Sequence, residues 1–261
     1  MPPKRRRDQE EAAAGTEEDL QRHKSAVDEA FAELVCPITQ SLPVDPVTAE
    51  DGKVYERSAI VDWLAREKRS PLTNEAMGMR LQPALSIKNL IRTMVTSGAI
   101  TGDKVDAWLA RLKDEEVVQG WRQAADEGDG VAMFKLGAAY STGVRGVAQN
   151  KAQALEWYRR AHVAGCASGT AHLGAYIAEG RGGATASAAM GAALMGEAAA
   201  RGSRFACAIL GHAFAYGVWS FPKEPEMARH WYKKVAGADT IDDCPVEALD
   251  RAAKWLGEHP P

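Results

Sequence analysis

Cysteine and histidine are the side chains of this chain best suited to metal binding or nucleophilic chemistry. Four cysteines occur, Cys36, Cys166, Cys207 and Cys244, and no two of them form a C-x-x-C pair. Thr39 stands where a zinc finger would place the ligand that follows Cys36, and residues 34–73 contain one cysteine and no histidine. Four-ligand zinc binding is therefore excluded in that segment, and Cys36 is predicted to be a small buried apolar residue.

Two further segments contain residue types that occur in metal or phosphate sites. His162 and Cys166 are predicted to share a helix face at i, i+4 spacing, but no nearby side chain completes a set of four ligands. The glycine-rich run at residues 180–183 follows no predicted strand, so it is interpreted as a connecting loop. We therefore expect no catalytic nucleophile, no metal and no cofactor, and the function must come from binding.

Residues 34–73 hold the densest pattern of structural signals. Three prolines each fix one φ angle and remove one backbone donor, which predicts an ordered loop. These are Pro37, Pro43 and Pro46. Asp51-Gly52 lies between two short extended runs, residues 46–48 and 53–55, and this arrangement predicts a β-hairpin.

A helix is predicted to follow the hairpin. Glu56 is expected to accept hydrogen bonds from the first backbone amides of this helix. Its apolar positions, at i, i+3, i+4 spacing, are Ile60, Trp63 and Leu64. A second loop carries Pro71, and a second helical stripe follows it, formed by Ile87, Leu90, Ile91, Met94 and Val95. The predicted order is loop, hairpin, helix, loop and helix.

With these motifs in this order, the segment from about Ala32 to Ser97 resembles the U-box, the zinc-free relative of the RING finger found in ubiquitin ligases. The motifs are C-P-I-T from Cys36, D-P-V from Asp45, G-x-x-Y-E-R from Gly52, I-x-x-W-L from Ile60 and P-L-T from Pro71. The resemblance implies an α+β domain in which hydrogen bonds and salt bridges replace zinc. The residues given structural roles are Cys36, Tyr55, Ile60 and Leu64 in the core, and Asp45 and Arg57 in the bonds that replace zinc.

The resemblance also implies how such a domain acts. Its surface binds a ubiquitin-conjugating enzyme charged with ubiquitin and holds the thioester for attack by a substrate lysine, which is catalysis by proximity and preorganisation. The family pattern places conjugating-enzyme contacts at Ile38, Trp63 and Pro71, and donor-ubiquitin positioning at Asn74. Ile38 is favoured as an exposed contact, whereas Trp63 shares a helix face with Ile60 and fits either a contact or a core role.

A further helix is predicted from Asp103 to Glu116. Its apolar face is formed by Val105, Trp108, Leu109 and Leu112. Three roles remain open for this helix: it caps a second domain, packs on the U-box, or mediates dimerisation. Capping is the plainest of the three. The glycines at positions 98 and 102 mark the favoured domain boundary.

From about Val118 the sequence repeats at intervals of 37 residues. A Leu-Gly pair occurs once in each unit, as Leu136 and Gly137, Leu173 and Gly174, and Leu210 and Gly211. Such a period predicts a solenoid of helix pairs, in which the glycine lets the two helices of a pair lie close together. The first helix of each pair is expected to end at a left-handed glycine, namely Gly143, Gly180 and Gly217. The start of the second helix is expected to be capped by Asn150 and by Ser187, and in the last unit by Glu224 with Pro225 at the first helical position.

These units, with Trp157-Tyr158 and Trp231-Tyr232 in their second helices, resemble the Sel-like repeat, a relative of the tetratricopeptide repeat. The middle unit departs from the pattern, because Leu194-Met195 stands in place of Trp-Tyr. That departure puts the stability of the middle unit in question but not its register. A terminal capping helix is predicted from Asp243 to Gly257.

Composition limits the remaining function classes. The chain has 261 residues, 46% of them hydrophobic, and a net charge of -3, which gives no general attraction to nucleic acid or membrane. Scattered cysteines suit a reducing compartment. The basic run from Lys4 to Arg7 precedes acidic residues, so it is not a signal peptide; it fits a nuclear import signal or a solubilising tail. Residues 184–200 are too short and too weakly apolar to span a bilayer.

Together these features predict a mainly α multi-domain protein. Its parts are a disordered charged tail at 1–28, an α+β U-box at 29–98, a linker helix at 99–117, and an all-α solenoid at 118–261. The favoured hypothesis is a ubiquitin ligase of the cytoplasm, or of the nucleus, whose solenoid recruits a protein substrate or adaptor. The alternative is a non-catalytic scaffold with an inactive U-box, which Pro83-Ala84 in place of the family's Pro-Asn mildly favours. Homodimerisation stays open.

Overall fold

The computed structural model describes residues 21–22, 24–27, 29–219, 221–236 and 244–260. The chain divides into two compact units, the first ending at Lys113 and the second beginning at Asp114. The basic run from Lys4 to Arg7 and most of the predicted tail lie outside the described residues. Residues 24–27 and 29–34 are helical.

The first unit combines a three-stranded sheet with helices. Its strands are β1 (Pro46–Thr48), β2 (Val54–Glu56) and β3 (Gln82–Pro83). Its helices are α1 (Arg57–Glu67), α2 (Leu85–Thr96) and the part of α3 (Asp103–Asp126) that precedes Asp114. The sheet order is β2-β1-β3 with both pairs antiparallel, so the unit has the predicted α+β character.

The predicted hairpin is confirmed. Val47 pairs with Tyr55 across the two strands, and the Ala49 amide donates to the Lys53 carbonyl at 3.0 Å to close the turn. Gly52 has φ of 74°, a left-handed conformation that glycine adopts without steric cost. The turn therefore follows directly from the Asp51-Gly52 signal.

The predicted capping role of Glu56 is wrong. Glu56 stands at the N-cap position of α1, but its side chain makes no hydrogen bond to the helix. In the sheet register Glu56 lies opposite Pro46, which places its carboxylate beside the backbone amides just before β1. The carboxylate accepts from the amides of Val44 and Asp45 instead.

Among its described residues, the first unit has two clusters of buried side chains. The hairpin cluster is formed by Cys36, Val47, Ala49, Tyr55, Ile60, Leu64 and Met77. The α3 cluster is formed by Leu34, Leu42, Val44, Ile91, Ile100, Val105 and Trp108. The indole Nε1 of Trp108 also donates to the Pro43 carbonyl at 3.0 Å. Of the three roles left open for this helix, the start of α3 packs on the U-box segment.

Two predicted apolar stripes are narrower than the sequence pattern suggested. Leu90 in α2 is 45% exposed, and Leu109 in α3 is also 45% exposed. Their neighbours Ile91 and Trp108 are buried. Adjacent positions on a helix point about 100° apart, so only one residue of each adjacent pair lies at the centre of the buried face.

The second unit consists of helices arranged as pairs. They are α4 (Gly130–Thr142), α5 (Lys151–Val163), α6 (Ala167–Glu179), α7 (Ala188–Ala200), α8 (Arg204–Tyr216), α9 (Pro225–Ala236) and α10 (Val246–Glu258). The part of α3 after Lys113 contributes Val118 and Ala125 to the core around α4. Within the described residues, no helix is both long enough and apolar enough to cross a membrane.

Most of the predicted helix ends in this unit are confirmed, but the terminal helix, predicted from Asp243 to Gly257, begins at Val246 after Pro245 and ends at Glu258. Asn150 accepts hydrogen bonds from the Ala152 and Gln153 amides in the first turn of α5, and Ser187 accepts one from the Met190 amide in the first turn of α7. The left-handed residues after α4, α6 and α8 are Gly143, Gly180 and Gly217. Pro225 is the first residue of α9. Local residue chemistry therefore sets the repeat boundaries.

The Leu-Gly pairs bring the two helices of each pair together, as predicted. A Cβ atom at Gly137 would lie 2.6 Å from the ring of Tyr158, and one at Gly211 would lie 2.6 Å from the ring of Tyr232. Both tyrosines are 1% exposed. Each outer unit thus seats a tyrosine ring on the bare backbone of a glycine.

The middle unit keeps the register with a different packing. Leu194 and Met195 of α7 are buried, at 8% and 0% exposure. Gly174 of α6 faces Gly191 of α7, and a Cβ at Gly174 would lie 3.0 Å from the Gly191 carbonyl oxygen. The two helices therefore meet through glycine backbone instead of an aromatic ring.

Candidate functional site

The first loop of the U-box segment runs from Cys36 to Ser41 and closes through its own backbone. The Cys36 amide donates to the Ser41 carbonyl at 2.9 Å, and the Gln40 amide donates to the Cys36 carbonyl at 2.8 Å. The side-chain amide of Gln40 donates to the Pro37 carbonyl at 2.7 Å. Ile38 lies inside this closed loop, half-buried and packed against the hairpin cluster.

The carboxylate of Glu56 anchors the chain just after this loop. Its Oε2 accepts from the Val44 amide at 2.9 Å, and its Oε1 accepts from the Asp45 amide at 3.1 Å. Glu56 is only 5% exposed, so these are hydrogen bonds to a buried charge. Such bonds are stronger than those between neutral groups.

Arg111 of α3 completes the binding of this carboxylate. Its Nη2 lies 2.5 Å from Glu56 Oε2. Its Nη1 lies 3.2 Å from the Ser41 hydroxyl and 3.2 Å from the Leu42 carbonyl oxygen. The guanidinium therefore donates both to the buried acid and to the residues that close the first loop.

A second carboxylate, that of Asp51 in the hairpin turn, holds the second loop. Its Oδ2 accepts from the hydroxyls of Ser70 at 2.6 Å and Tyr55 at 2.8 Å, and its Oδ1 accepts from the Lys53 amide at 3.0 Å. Burial acts to raise the pKa of Asp51, but the hydrogen bonds from Ser70, Lys53 and Tyr55 outweigh it, and the pKa lies below the usual 3.8. Burial and the bond to Asp51 raise the pKa of the Tyr55 hydroxyl, which therefore stays protonated as a donor.

Ser70 links this acid to the backbone of the second loop. Its hydroxyl accepts from the amides of Leu72 at 3.2 Å and Thr73 at 3.1 Å, and its own amide donates to the Glu75 carbonyl at 2.9 Å. The Asn74 amide donates to the Ser70 carbonyl at 3.1 Å. Ser70 is 3% exposed, so one buried serine orders the loop that carries Pro71.

Helix α1 is tied to the same loop through Trp63. The indole Nε1 of Trp63 donates to the Arg69 carbonyl at 2.8 Å. The guanidinium Nη1 of Arg69 donates to the Asn74 carbonyl at 3.1 Å. Asn74 is exposed and has φ of 59°, a left-handed conformation that asparagine tolerates better than most residues.

The four residues assigned to partner binding lie on these two loops and on α1. Ile38 and Trp63 are both half-buried and pack against the same hairpin cluster, so the structure brings them to one core. Pro71 is half-buried, and Asn74 is exposed in the second loop. Leu72, which is 52% exposed, was missed by sequence reasoning although it stands inside the P-L-T motif.

The residues assigned to structural roles occupy two environments. Cys36, Tyr55, Ile60 and Leu64 are all at most 1% exposed. Arg57 Nε lies 2.6 Å from Asp45 Oδ2, but both side chains are well exposed, at 38% and 49%, so this ion pair contributes little to stability. Glu56 and Ser70 are buried and Asp51 is half-buried, so their hydrogen bonds hold the loops more strongly, and the sequence reasoning missed these roles. The sequence did offer a signal for two of these residues, because Glu56 lies within the G-x-x-Y-E-R motif and Ser70 directly precedes the P-L-T motif.

Metal-binding residues do not gather anywhere in the part of the chain that the structure describes: no group of three histidine, cysteine or acidic side chains could hold an ion. The prediction that His162 and Cys166 share a helix face is wrong. Helix α5 ends at Val163, Gly165 takes a left-handed φ of 80°, and Cys166 is the N-cap of α6. The glycine-rich run is a short 3-10 turn at Arg181–Gly183, within a connection between helices as expected.

Comparison with known proteins matches both parts of the chain. The family model of the U-box domain matches residues 31–98, and the model of the Sel1 repeat matches residues 130–161 and 204–238. The two Sel1 segments leave out the middle unit, where Leu194-Met195 replaces Trp-Tyr.

Curated relatives share the U-box segment. A probable bifunctional E2/E3 enzyme of Acanthamoeba polyphaga mimivirus is 36% identical over 64 residues, which is 24% of this chain and 5% of the relative. The human WD repeat, SAM and U-box domain-containing protein 1 is 51% identical over 43 residues, which is 16% of this chain and 9% of the relative. This chain thus spans less than a tenth of the length of either relative.

Two solved structures resemble the chain. A Sel1 repeat protein from Oxalobacter formigenes has a TM-score of 0.40 and 28% identity, over 45% of this chain and 88% of that one. A protective antigen of uropathogenic Escherichia coli with an SLR fold has a TM-score of 0.41 and 23% identity, over 66% of this chain and 45% of that one. From the family models and the repeat register, the chain carries a U-box domain at residues 31–98, followed by Sel1 repeats between residues 130 and 238.

Proposed function

We propose that this protein is a U-box ubiquitin ligase that binds a ubiquitin-charged conjugating enzyme through Ile38, Trp63 and Pro71. The observation that carries the proposal is the anchoring of both loops by carboxylates, the buried Glu56 for the first loop and the half-buried Asp51 for the second. A surface whose loops are already ordered loses little conformational entropy when a partner binds. The similarity to proteins with U-box and E2/E3 names supports the same reading.

In this proposal the ligase supplies no covalent catalyst. The thioester between enzyme and ubiquitin is held in a reactive pose, and a substrate lysine attacks its carbonyl carbon while the enzyme's cysteine leaves as the thiolate. Asn74 donates a hydrogen bond that steadies the donor ubiquitin. Asparagine brings no charge, but the exposed guanidinium of Arg69 lies beside it and supplies a positive charge at the same place.

The Sel1 repeats are proposed to recruit the protein substrate or an adaptor. Support comes from the helix pairs between Gly130 and Ala236, in which the first helices α4, α6 and α8 are successive neighbours, as in repeat proteins whose stacked units form a binding surface. The proposed parts remain a U-box at 29–98, a linker helix at 99–117 and a solenoid at 118–261, in the cytoplasm or the nucleus. Homodimerisation is a further proposal that size measurement in solution tests.

The scaffold alternative has one structural observation in its favour. Ala84 stands at the N-cap of α2, where the family pattern has asparagine, and the helix begins there without a side-chain cap. A missing cap costs about 1 kcal/mol of stability, which is too little to abolish the fold of the domain. The ligase hypothesis is therefore favoured.

Ubiquitin discharge from a panel of precharged conjugating enzymes to free lysine tests the ligase proposal. Ile38→Ala is expected to lower the discharge rate about tenfold or more, because it truncates a proposed contact. Ile38 also packs against the hairpin cluster, so thermal unfolding is measured in parallel, and the rate should fall by more than the folded fraction does. The matched control is Leu90→Ala, which truncates another partly exposed apolar residue and is expected to keep wild-type activity. Folded wild-type protein that stimulates discharge from no enzyme of the panel would contradict the ligase hypothesis.

A further inference from the structure

Arg111 lies outside the segment that matches the U-box family, yet it contacts the base of the first loop. The matched segment ends at residue 98, and Arg111 belongs to helix α3. Its guanidinium bridges the buried carboxylate of Glu56 and the Ser41 and Leu42 oxygens. A residue separated from Glu56 by 55 positions thus completes a site of the U-box.

The charges at this point depend on each other. Glu56 is 6% exposed at its side chain, and a buried carboxylate is costly without a cation or enough donors. The planar fork of arginine donates from one nitrogen to the acid and from another to the loop, whereas lysine carries all three of its donors on one nitrogen. Arg111 is 39% exposed, so its charge stays partly solvated while the two donors face inward.

The contact reaches the loop that holds Ile38. Ser41, which accepts from Arg111, is also the residue whose carbonyl closes the loop with the Cys36 amide. Glu56, the other partner of Arg111, fixes the amides of Val44 and Asp45 on the following residues. Arg111 therefore restrains the loop from its closing end.

We propose that Arg111 is a positioning residue for the binding of the conjugating enzyme, and that the working ligase module extends beyond the U-box match into helix α3. This inference rests on the proposed function. Arg111 keeps the first loop in its binding-ready conformation, so its loss raises the KM for the charged enzyme. The second loop is anchored separately by Asp51 and Ser70, so kcat for ubiquitin discharge is unaffected.

The start of α3 is held in place by more than Arg111. Trp108, 1% exposed, donates through Nε1 to the Pro43 carbonyl, and Val105 is buried in the same cluster. A variant at Arg111 should therefore remove the bridge without detaching the helix. Lys113 offers a matched control, because it is an exposed cation on the same helix.

The test compares Arg111→Ala, Arg111→Lys and Lys113→Ala in the full chain. Titration of charged conjugating enzyme in the discharge assay yields KM and kcat, and hydrogen exchange reports on the amides of Val44 and Asp45. We expect Arg111→Ala to raise KM about tenfold and to speed exchange of both amides about tenfold, with kcat unchanged. Arg111→Lys should be intermediate, because it restores the charge but not the fork, and Lys113→Ala should match the wild type.

Each result decides the inference. An unchanged KM in Arg111→Ala overturns it, even where amide exchange is faster, because the bridge would then be structural only. The inference is also overturned if KM is unchanged and kcat falls only in proportion to the fraction of the variant that is folded. Wild-type protein that neither binds nor discharges any conjugating enzyme would contradict the proposed function itself, and this inference with it.

Discussion

The hydroxyl of Ser70 donates to Oδ2 of Asp51 across 2.6 Å, and this bond joins the hairpin turn to the second loop. The same hydroxyl accepts from the amides of Leu72 and Thr73. Ser70 thus connects the Asp51 carboxylate to the backbone amides that follow Pro71. In the first loop, Glu56 and Arg111 have the corresponding role through an ion pair in which the acid is buried and the guanidinium is partly exposed.

The lowered pKa of Asp51 predicts an acid-sensitive second loop. A carboxyl whose folded-state pKa lies below its unfolded value of 3.8 stabilises the fold at higher pH, and this stabilisation is lost as pH falls through the folded-state pKa. At neutral pH, Asp51→Asn should therefore destabilise the first unit by about 1 kcal/mol or more. The difference from wild type should shrink below about pH 5. Hydrogen exchange of the Leu72 and Thr73 amides across a pH series measures it.

The control for that series is Asp62→Asn, which removes an exposed carboxylate from α1. It should leave the exchange of both amides as in wild type at every pH. A gap between wild type and Asp51→Asn that stays constant down to about pH 3 would show that the ionised carboxylate is not the stabilising group.

Substitution of Asn74 is expected to slow ubiquitin transfer without weakening the binding of the charged conjugating enzyme. Asn74→Gly removes the side-chain amide but keeps a residue that adopts φ of 59° without strain. The variant should lower single-turnover discharge several-fold while the KM for the charged enzyme stays the same, because donor positioning acts after binding. Asn89→Ala, at an exposed position of α2, is the control. Wild-type discharge by Asn74→Gly would remove Asn74 from the proposed site.

Two glycine substitutions should have opposite effects on the second unit. Gly137→Ala places a Cβ 2.6 Å from the Tyr158 ring, so it should destabilise the unit by about 1–3 kcal/mol. Gly196→Ala, within α7, meets no atom within 4 Å and should stabilise the unit by about 0.5–1 kcal/mol. Urea unfolding followed by far-UV circular dichroism measures both. Equal effects of the two substitutions would contradict the close packing at Gly137.

The features that could be predicted from sequence depend on neighbouring residues. The Asp51-Gly52 turn, the Asn150 and Ser187 caps and the left-handed Gly143 are each set by local backbone chemistry. The 37-residue interval predicted the helix pairs, because the helix boundaries of one repeat recur 37 residues later in the next. These are the parts of the fold that the structure confirms.

The bonds that order the U-box loops could not be predicted in the same way. Glu56 looked like a helix cap because Arg57 starts α1, but its partners lie 12 residues before it and 55 residues after it. Only the sheet register, which sets Glu56 opposite Pro46, decides where its carboxylate goes. A pattern along the chain contains no direct information on that register.

The other errors concern where a helix ends and how wide its buried face is. His162 and Cys166 have helical spacing, but left-handed Gly165 ends the helix between them. Leu109 has the periodicity of a core residue, although the buried face of α3 is only wide enough for Val105 and Trp108 at its start. Periodicity gives the direction of a face, whereas its width depends on the surface that covers it.

The glycine contact in the middle unit constrains how this array can be engineered. A Cβ at Gly191 would lie 2.7 Å from the Gly174 carbonyl oxygen, so the two backbones already touch. Leu194 and Met195 are buried beside this contact, in the positions that tryptophan and tyrosine occupy in the outer units. To lengthen the solenoid, additional repeats should therefore be copied from the outer units, and the Gly174–Gly191 contact should be left unchanged.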